Sequence, residues 1–355
     1  MVPRVTLQTV ADRLGVSRMT VSNAFSRPDQ LSDELRQRVL AMADELGYAG
    51  PDPSGRALAR GRTGAVGVML TDSLEYAFTD QLATDLMASI TSELAPTGLA
   101  LTLLTTAARD DFIPARDVPI DGAIVFSCTA DSTAVEWLRR RKLPMVFVDQ
   151  EPVDDVTCIN IDERGGARAA AQHVVDLGHR RVAIVSSGDL PIGVAPAIDV
   201  EHGKYSQRNR MRGWLDALTA SDITPTVIYT PHGREGGFDA AETLFDLPPD
   251  ERPTAILCYS DTLAVGVLAA ARRRRIRIPA ELSVVGFDDA RFASTTDPPL
   301  TTVRQDIVGK GSIAASTLTE AIAAGKGATI EPKQIVLPTQ LVVRDSTSAA
   351  PVTVA

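Results

Sequence analysis

Apolar and polar positions along this chain change rhythm twice, dividing it into three stretches. In the first, Leu7, Val10, Ala11 and Leu14 fall at i, i+3, i+4 and i+7, the spacing of one buried helix face. Thr6 stands where a hydroxyl caps such a helix, Gly15 where a left-handed residue ends it, and Val16 where an apolar side chain fills the corner. Ser17 then caps a second helix with Val21 and Phe25 inward and Arg18, Met19, Ser22 and Asn23 outward. Ser32 caps a third, with Asp33 and Glu34 in its first turn and Leu35, Val39, Met42 and Leu46 as its stripe. Gly47 closes it. The first two helices and their glycine turn predict a helix–turn–helix, whose second helix enters the DNA major groove by its N-terminal half. An ordinary helical hairpin is the competing reading.

The second stretch, residues 49–63, is dominated by Pro, Gly and Arg. A two-turn helix fits over 53–60, but so short a helix containing Gly55 is not stable alone in water, so it reads as a linker with conditional structure. From Gly64 onward short apolar runs alternate with amphipathic stretches. Strands are predicted at 65–70, 99–104, 122–126, 145–148, 182–185, 226–229, 254–258 and 283–286, and helices at 80–94, 165–177, 207–218 and 262–273. Continuous apolar strands separated by helices imply a doubly wound α/β body with two sheets, hence two lobes and a cleft.

Charge sharpens this division. Residues 1–63 carry nine arginines and no lysine against seven acids, a balance of +2, while the whole chain stands at −9. A mildly basic head on an acidic body suits a protein that presents one end to nucleic acid. No apolar run reaches the length of a membrane span, and nothing before Gly64 has the pattern of a secretory signal. Cys128, Cys158 and Cys258 are too scattered for a disulfide framework or zinc site and read as buried reduced thiols, which points to the cytoplasm. Gly-x-Gly-x-x-Gly, Gly-x-x-x-x-Gly-Lys-Ser/Thr and Gly-x-Ser-x-Gly are all absent, so nucleotide-enzyme and hydrolase readings lack their fingerprints. Asp288 and Asp289 form an acidic pair without a nucleophile, metal cluster or phosphate loop beside it, which argues against an enzyme and requires no cofactor. A transport solute-binding protein would share the body but needs a signal sequence and no DNA-binding head.

The order of parts resembles the LacI/GalR transcription regulators. Val10-Ala-Asp-Arg-Leu-Gly-Val-Ser-Arg-Met-Thr-Val-Ser-Asn23 is similar to that family's DNA-binding signature. Leu46-Gly-Tyr48, Leu177-Gly-His-Arg180, Ile278-Pro279, Ser283-Val-Val-Gly-Phe-Asp-Asp289 and Pro299-Leu-Thr-Thr-Val-Arg-Gln-Asp306 follow in the family's order over nearly the whole chain. The resemblance implies a three-helix helix–turn–helix headpiece at 1–48, a hinge at 49–63 and a two-lobed α/β core like the periplasmic sugar-binding proteins. Its first lobe would comprise 64–163 and 307–333, its second 164–306 and 334–345, with a flexible tail at 346–355. It also implies a homodimer on pseudo-palindromic double-stranded operator DNA, acting as a repressor under a small, sugar-like effector.

Carried over residue by residue, Arg18, Met19 and Asn23 match base-reading positions: Arg suits guanine, Asn adenine, and Met an apolar contact. Thr6, Ser17, Thr20, Ser22 and Ser32 match positions that hold phosphates or cap helices; for Ser17 and Ser32 capping alone would account for the residue. Leu58 matches a leucine wedged into the minor groove, flanked here by Arg56, Arg60 and Arg62; packing of the linker against the core is the alternative. Asp149, Arg210, Ser260, Asp288 and Gln305 match the family's ligand contacts, and Tyr76 and Phe78 are placed to cover an apolar sugar face. A salt bridge across the cleft would also explain Arg210 and Asp288. Three departures accompany the match: Asn23 stands where many members have Arg; the hinge carries one extra residue and Pro51-Asp-Pro53, which leaves its helix register open; and residues 186–205 are longer than the usual loop, forming either a lid or added dimer surface. The Arg272–Arg275 run reads as a solvated helix end.

Overall fold

A computed structural model describes residues 5–70, 76–106, 111–127, 132–188, 192–195, 198–201, 203–325 and 331–351. It separates into two compact units, 1–64 and 65–355.

In the first unit, helices α1 (Leu7–Leu14), α2 (Arg18–Ser26) and α3 (Asp33–Glu45) close on a small core of Val10, Ala11, Val21, Ala24, Val39 and Ala43. Small residues let three short helices approach closely, and the half-buried rim of Leu7, Leu14, Val16, Phe25, Leu35 and Leu46 completes the cover. Gly15 takes the predicted left-handed conformation, φ 67°, and the Val16 amide bonds Ala11 O at 3.1 Å, which sets the tight turn. Phe25 meets the edge of Tyr48 at 5.8 Å, tying the end of α2 to the segment after α3. Helix α4 (Pro53–Arg60) forms where the linker pattern placed it.

The second unit contains two sheets. The first joins β1 (Ala65–Leu70), β2 (Ala100–Thr105), β3 (Ala123–Phe126), β4 (Met145–Val148), β5 (Thr157–Ile161) and β12 (Gln334–Leu337) in the order β12-β5-β4-β3-β1-β2, every pair parallel. Around it run α5 (Tyr76–Thr79), α6 (Gln81–Leu94), α7 (Pro114–Asp117), α8 (Thr133–Arg140) and α13 (Ile307–Ala324). The second sheet joins β6 (Val182–Ser187), β7 (Gly193–Val194), β8 (Thr226–Thr230), β9 (Ala255–Cys258) and β10 (Ser283–Val285) in the order β10-β9-β6-β8-β7, parallel except for β7. Its helices are α9 (Glu163–Asp176), α10 (Tyr205–Thr219), α11 (Arg234–Phe245) and α12 (Asp261–Arg274). Each sheet is buried on both faces by alanine- and valine-rich helices, giving two apolar clusters per lobe.

The chain passes between the lobes three times: from β5 into α9, from β11 (Thr302–Gln305) into α13, and from β12 into β13 (Thr339–Val342), which pairs antiparallel with β11. This corrects the expected lobe boundary. Residues 334–337 belong to the first sheet, beside β5, rather than to the second lobe. Periodicity left β5 and β12 unassigned because Asn160 interrupts the first and the second is an edge strand of alternating exposure. Tertiary partners resolve the Asn160 problem: its amide and the Gln150 backbone exchange bonds of 3.0 and 3.1 Å.

The flexible tail is also corrected. Ser346 is buried, bonding Val284 O at 2.6 Å, and Ala350 N reaches Leu177 O at 2.8 Å. His179, buried beneath, contacts Thr254, Ser283 and Ser348 O at 2.9, 3.0 and 3.1 Å. Polar Ser and Thr composition suggested a solvated segment, but these hydroxyls complete a buried network; residues 352–355 lie outside the described residues.

The 186–205 segment contributes β7 to the edge of the second sheet, and Ala195, Ile198 and Val200 pack on that lobe's core. Residues 189–191, 196–197 and 202 lie outside the described residues, as does Cys128. Cys158 and Cys258 are buried free thiols, their acidity reduced by burial. Around the arginine run, Arg272 meets Asp297 at 3.0 Å and Arg274 meets Glu242 and Asp246 at 2.8 Å, as a solvated helix end requires. No helix among the described residues is long and apolar enough to cross a membrane.

Candidate functional site

Two surfaces gather the residues singled out by sequence, one in each unit. In the first unit Thr6, Ser17 and Ser32 are all N-caps, accepting from the amides of Thr9, Thr20 and Leu35 at 3.3, 3.0 and 3.4 Å. Their hydroxyls therefore orient the helices whether or not they also meet phosphate. Thr20 bonds Ser17 Oγ at 2.9 Å, so the first turn of α2 is held by a pair of hydroxyls. Arg18 and Met19 project outward, Met19 with 68% of its surface exposed. Ser22 and Asn23 are half-buried, and Asn23 Nδ2 donates to Gln30 Oε1 at 3.1 Å, which fixes the amide's orientation on the outer face. In α4 Leu58 is 86% exposed, with Arg56 and Arg60 also in solvent. Within its own unit the leucine thus leaves its apolar surface in solvent between arginines.

In the second unit the strand ends converge. Both parallel sheets reverse strand order beside their first strand, β1 or β6, and side chains at the carboxyl ends of such strands face the crevice where ligands bind. Asp149 follows β4, Ser260 follows β9 and Asp288 lies just beyond β10. Asp149 and Asp288 adopt φ of 53° and 117°, conformations that L side chains rarely take, held by bonds to Ile159 O at 3.2 Å and Val303 O at 2.8 Å.

One polar chain then links most of the named residues. Lys310 Nζ donates to both Asp149 oxygens at 2.8 and 2.7 Å and to Gln305 Oε1 at 2.7 Å. Gln305 Nε2 donates to Asp288 Oδ1 at 2.7 Å, and Arg210 lies 3.3 Å from that same carboxylate. Arg210 also donates to Glu163 at 2.5 Å and to Tyr259 O, while Phe287 and Tyr259 cover its guanidinium faces at 3.6 and 4.6 Å. Asp149, Gln305, Asp288 and Arg210 thus meet in one network; Arg210 and Asp288 do form the expected ion pair, but within the second lobe rather than across the cleft. Ser260 is buried nearby as the N-cap of α12, accepting from Leu263 N at 3.3 Å. Phe78 is 72% exposed, and the Tyr76 side chain lies outside the described residues.

Burial dominates the electrostatics. It raises Asp288 to about 7, with Asp80 and Glu163 adding repulsion and Arg210 opposing it. Burial likewise raises Glu163 and lifts Asp261 well above the ordinary carboxylate range. For Asp80 burial also acts upward, but the His232 bond at 3.1 Å, the His232 charge and the amides of Ala83 and Leu82 together outweigh it and the carboxyl is lowered. Asp80–His232, Glu151–Arg208 at 2.6 Å and Asp85–Arg291 at 2.5 Å bridge the two lobes around the cleft.

Sequence reasoning missed Lys310, Glu163, Tyr259 and Phe287. A signal existed for the charged pair. Lys310 lies on the stripe Lys310, Gly311, Ala314, Ala315, Leu318 and Ile322, and Glu163 on Glu163, Gly166, Ala167, Ala170 and Val174. A charge on an otherwise apolar helix face requires a buried partner.

Comparison with known proteins finds relatives of both units. Residues 6–50 match the family model "Bacterial regulatory proteins, lacI family", and residues 171–347 match a periplasmic binding protein-like domain. An HTH-type transcriptional regulator of Mycolicibacterium smegmatis is 37% identical over 326 residues, covering 87% of this chain and 88% of the relative. The transcriptional regulator CelR–cellobiose complex superposes with a TM-score of 0.69 at 27% identity, covering 97% of this chain and all of that one. The lac repressor dimer bound to operator and the anti-inducer ONPF gives 0.73 at 25% identity, covering 97% and 99%. With its helix–turn–helix unit and two-lobed binding-protein-like core, the chain belongs to the lacI family of bacterial regulatory proteins and is a transcriptional regulator.

Proposed function

We propose that this regulator is a repressor that binds a pseudo-palindromic operator as a homodimer, in the cytoplasm, and that a sugar-like small molecule in the core cleft controls it by binding, without turnover. The observation that carries the reading is the polar chain from Asp149 to Arg210. It draws on both lobes and on one of the crossovers between them, so a ligand there acts on the lobe arrangement. The solved relatives with cellobiose, and with operator and anti-inducer, support the same pairing of ligand and DNA.

In this reading Arg18 and Asn23 read bases, Met19 makes apolar contact, and Thr6, Ser17, Thr20, Ser22 and Ser32 meet or orient toward phosphates. One headpiece makes too few base contacts for a useful specificity ratio, hence the dimer. Leu58 and its dimer mate enter the minor groove and bend the duplex. Asp149, Arg210, Ser260, Asp288 and Gln305 line the effector site, with Tyr76 and Phe78 near its mouth. A ligand shifts DNA affinity only if it binds two lobe arrangements unequally, and about 1–3 kcal/mol of coupling is typical.

The test is an operator selected from random duplexes, then titrated with the protein in the presence of individual sugars. An inverted repeat, two chains per site and a five- to hundredfold response to one sugar are expected. Recovery of a single half-site bound by one chain would overturn the dimeric reading. Indifference to every sugar would overturn the carbohydrate effector.

A further inference from the structure

Resting on the effector reading above, we propose that the cleft selects an uncharged polyhydroxylated ligand and excludes its phosphorylated or carboxylated counterparts, with Lys310 as the residue that sets this selectivity by position. Among the described residues, Asp80, Asp149, Glu163, Asp261 and Asp288 bring five buried or nearly buried carboxyl groups to this region. Two permanent cations, Arg210 and Lys310, stand against them, with His232 on Asp80.

The donors of Lys310, and most of those of Arg210, are already committed. An ammonium has three N–H groups, and Lys310 uses them on the two Asp149 oxygens and Gln305 Oε1. Arg210 directs Nε and Nη2 to Glu163 and Nη1 to Tyr259 O and toward Asp288, and the Phe287 and Tyr259 rings stack near its guanidinium. A phosphate or carboxylate reaching the Asp149–Arg210 network would have to strip a cation from a buried acid, leaving that acid uncompensated. Acceptors, by contrast, remain. The carboxyl groups of Asp149, Glu163 and Asp288 have more lone pairs than the hydrogen bonds they receive from Lys310, Arg210 and Gln305. A hydroxyl can donate to such an oxygen, whereas an ionised oxygen repels it.

Calorimetry on the full chain tests this with matched pairs: neutral pentoses, hexoses and disaccharides, each beside its phosphate ester or uronic acid. At least one neutral member should bind, and its anionic counterpart about 100-fold more weakly or not at all. An anionic counterpart binding as tightly as the neutral sugar would overturn the selectivity while leaving a carbohydrate effector in place. Silence from both sets would overturn the carbohydrate reading and the selectivity with it. Asp149→Asn releases the Lys310 ammonium from its carboxylate, so the anionic-to-neutral affinity ratio should rise at least about tenfold. A ratio unchanged in that variant would remove Lys310 from the selectivity, because a purely structural lysine would weaken both ligands alike.

Discussion

Met19 and Leu58 leave 68% and 86% of their surface in water, whereas Arg210 and Lys310 leave 2% and none. The residues proposed to meet DNA are exposed or half-buried, close in sequence and mounted on short helices, three of which share a six-residue buried core. Those proposed to meet the effector are desolvated and drawn from segments as far apart as Asp149 and Lys310, 161 positions along the chain. Exposed charge of the first kind is weak in water and free to meet phosphates or base edges. Charge of the second kind is strongly coupled to its neighbours, so a change at one member reaches both lobes.

The largest effect expected of this contrast comes from Lys310→Met. Asp149 would keep a buried charge without its cation, costing about 3–5 kcal/mol in urea unfolding, and adding Asp149→Asn should recover most of the loss. A cost below about 1 kcal/mol would mean that the cleft behaves like the solvated head, and the comparison would collapse.

Arg18→Ala should be milder and confined to binding. It should cost about 1–3 kcal/mol of operator affinity and relax preference at one base pair per half-site, with the unfolding midpoint unchanged. Affinities measured against all single-base operator variants check this. Unaltered base preference would make Arg18 a phosphate contact only.

The smallest effect lies at the C-terminal segment. Burial lowers the affinity of His173 and His179 for protons below the ordinary 6.5, so both favour the neutral form in the fold. The stability they contribute is complete above that ordinary value and is lost as pH falls below it toward their depressed values. Amides of Ser348 and Ala350, after correction for intrinsic rates, should therefore exchange faster relative to the sheet core at pH 5.5 than at pH 7.5. Equal protection at both would show that the histidines do not hold this segment.

Much of the first unit was legible because its determinants are local. Helix period, three hydroxyl caps and the left-handed Gly15 all act within four residues, so α1, α2 and α3 follow from reading forward along the chain. The two sheets were legible for a related reason, since strands buried on both faces write continuous apolar runs. At the cleft, Asp149, Arg210, Ser260, Asp288 and Gln305 came from a resemblance, and their partners did not. Lys310 and Glu163 each stand on an otherwise apolar helix face, which announces a buried partner but not its identity, because Asp149 and Arg210 lie 161 and 47 positions away.

By itself, then, the sequence determined what depends on neighbours a few residues away: the helix–turn–helix, the two-turn linker helix and the alternation of strand and helix that makes two lobes. Only tertiary structure decided what depends on distant segments meeting. It moved residues 334–337 into the first sheet, anchored Ser346 to Ala350, and assembled Asp149, Lys310, Gln305, Asp288, Arg210 and Glu163 into one network. The physical reason is desolvation. A charge in water is indifferent to what lies far along the chain, while a buried charge must find its partner there.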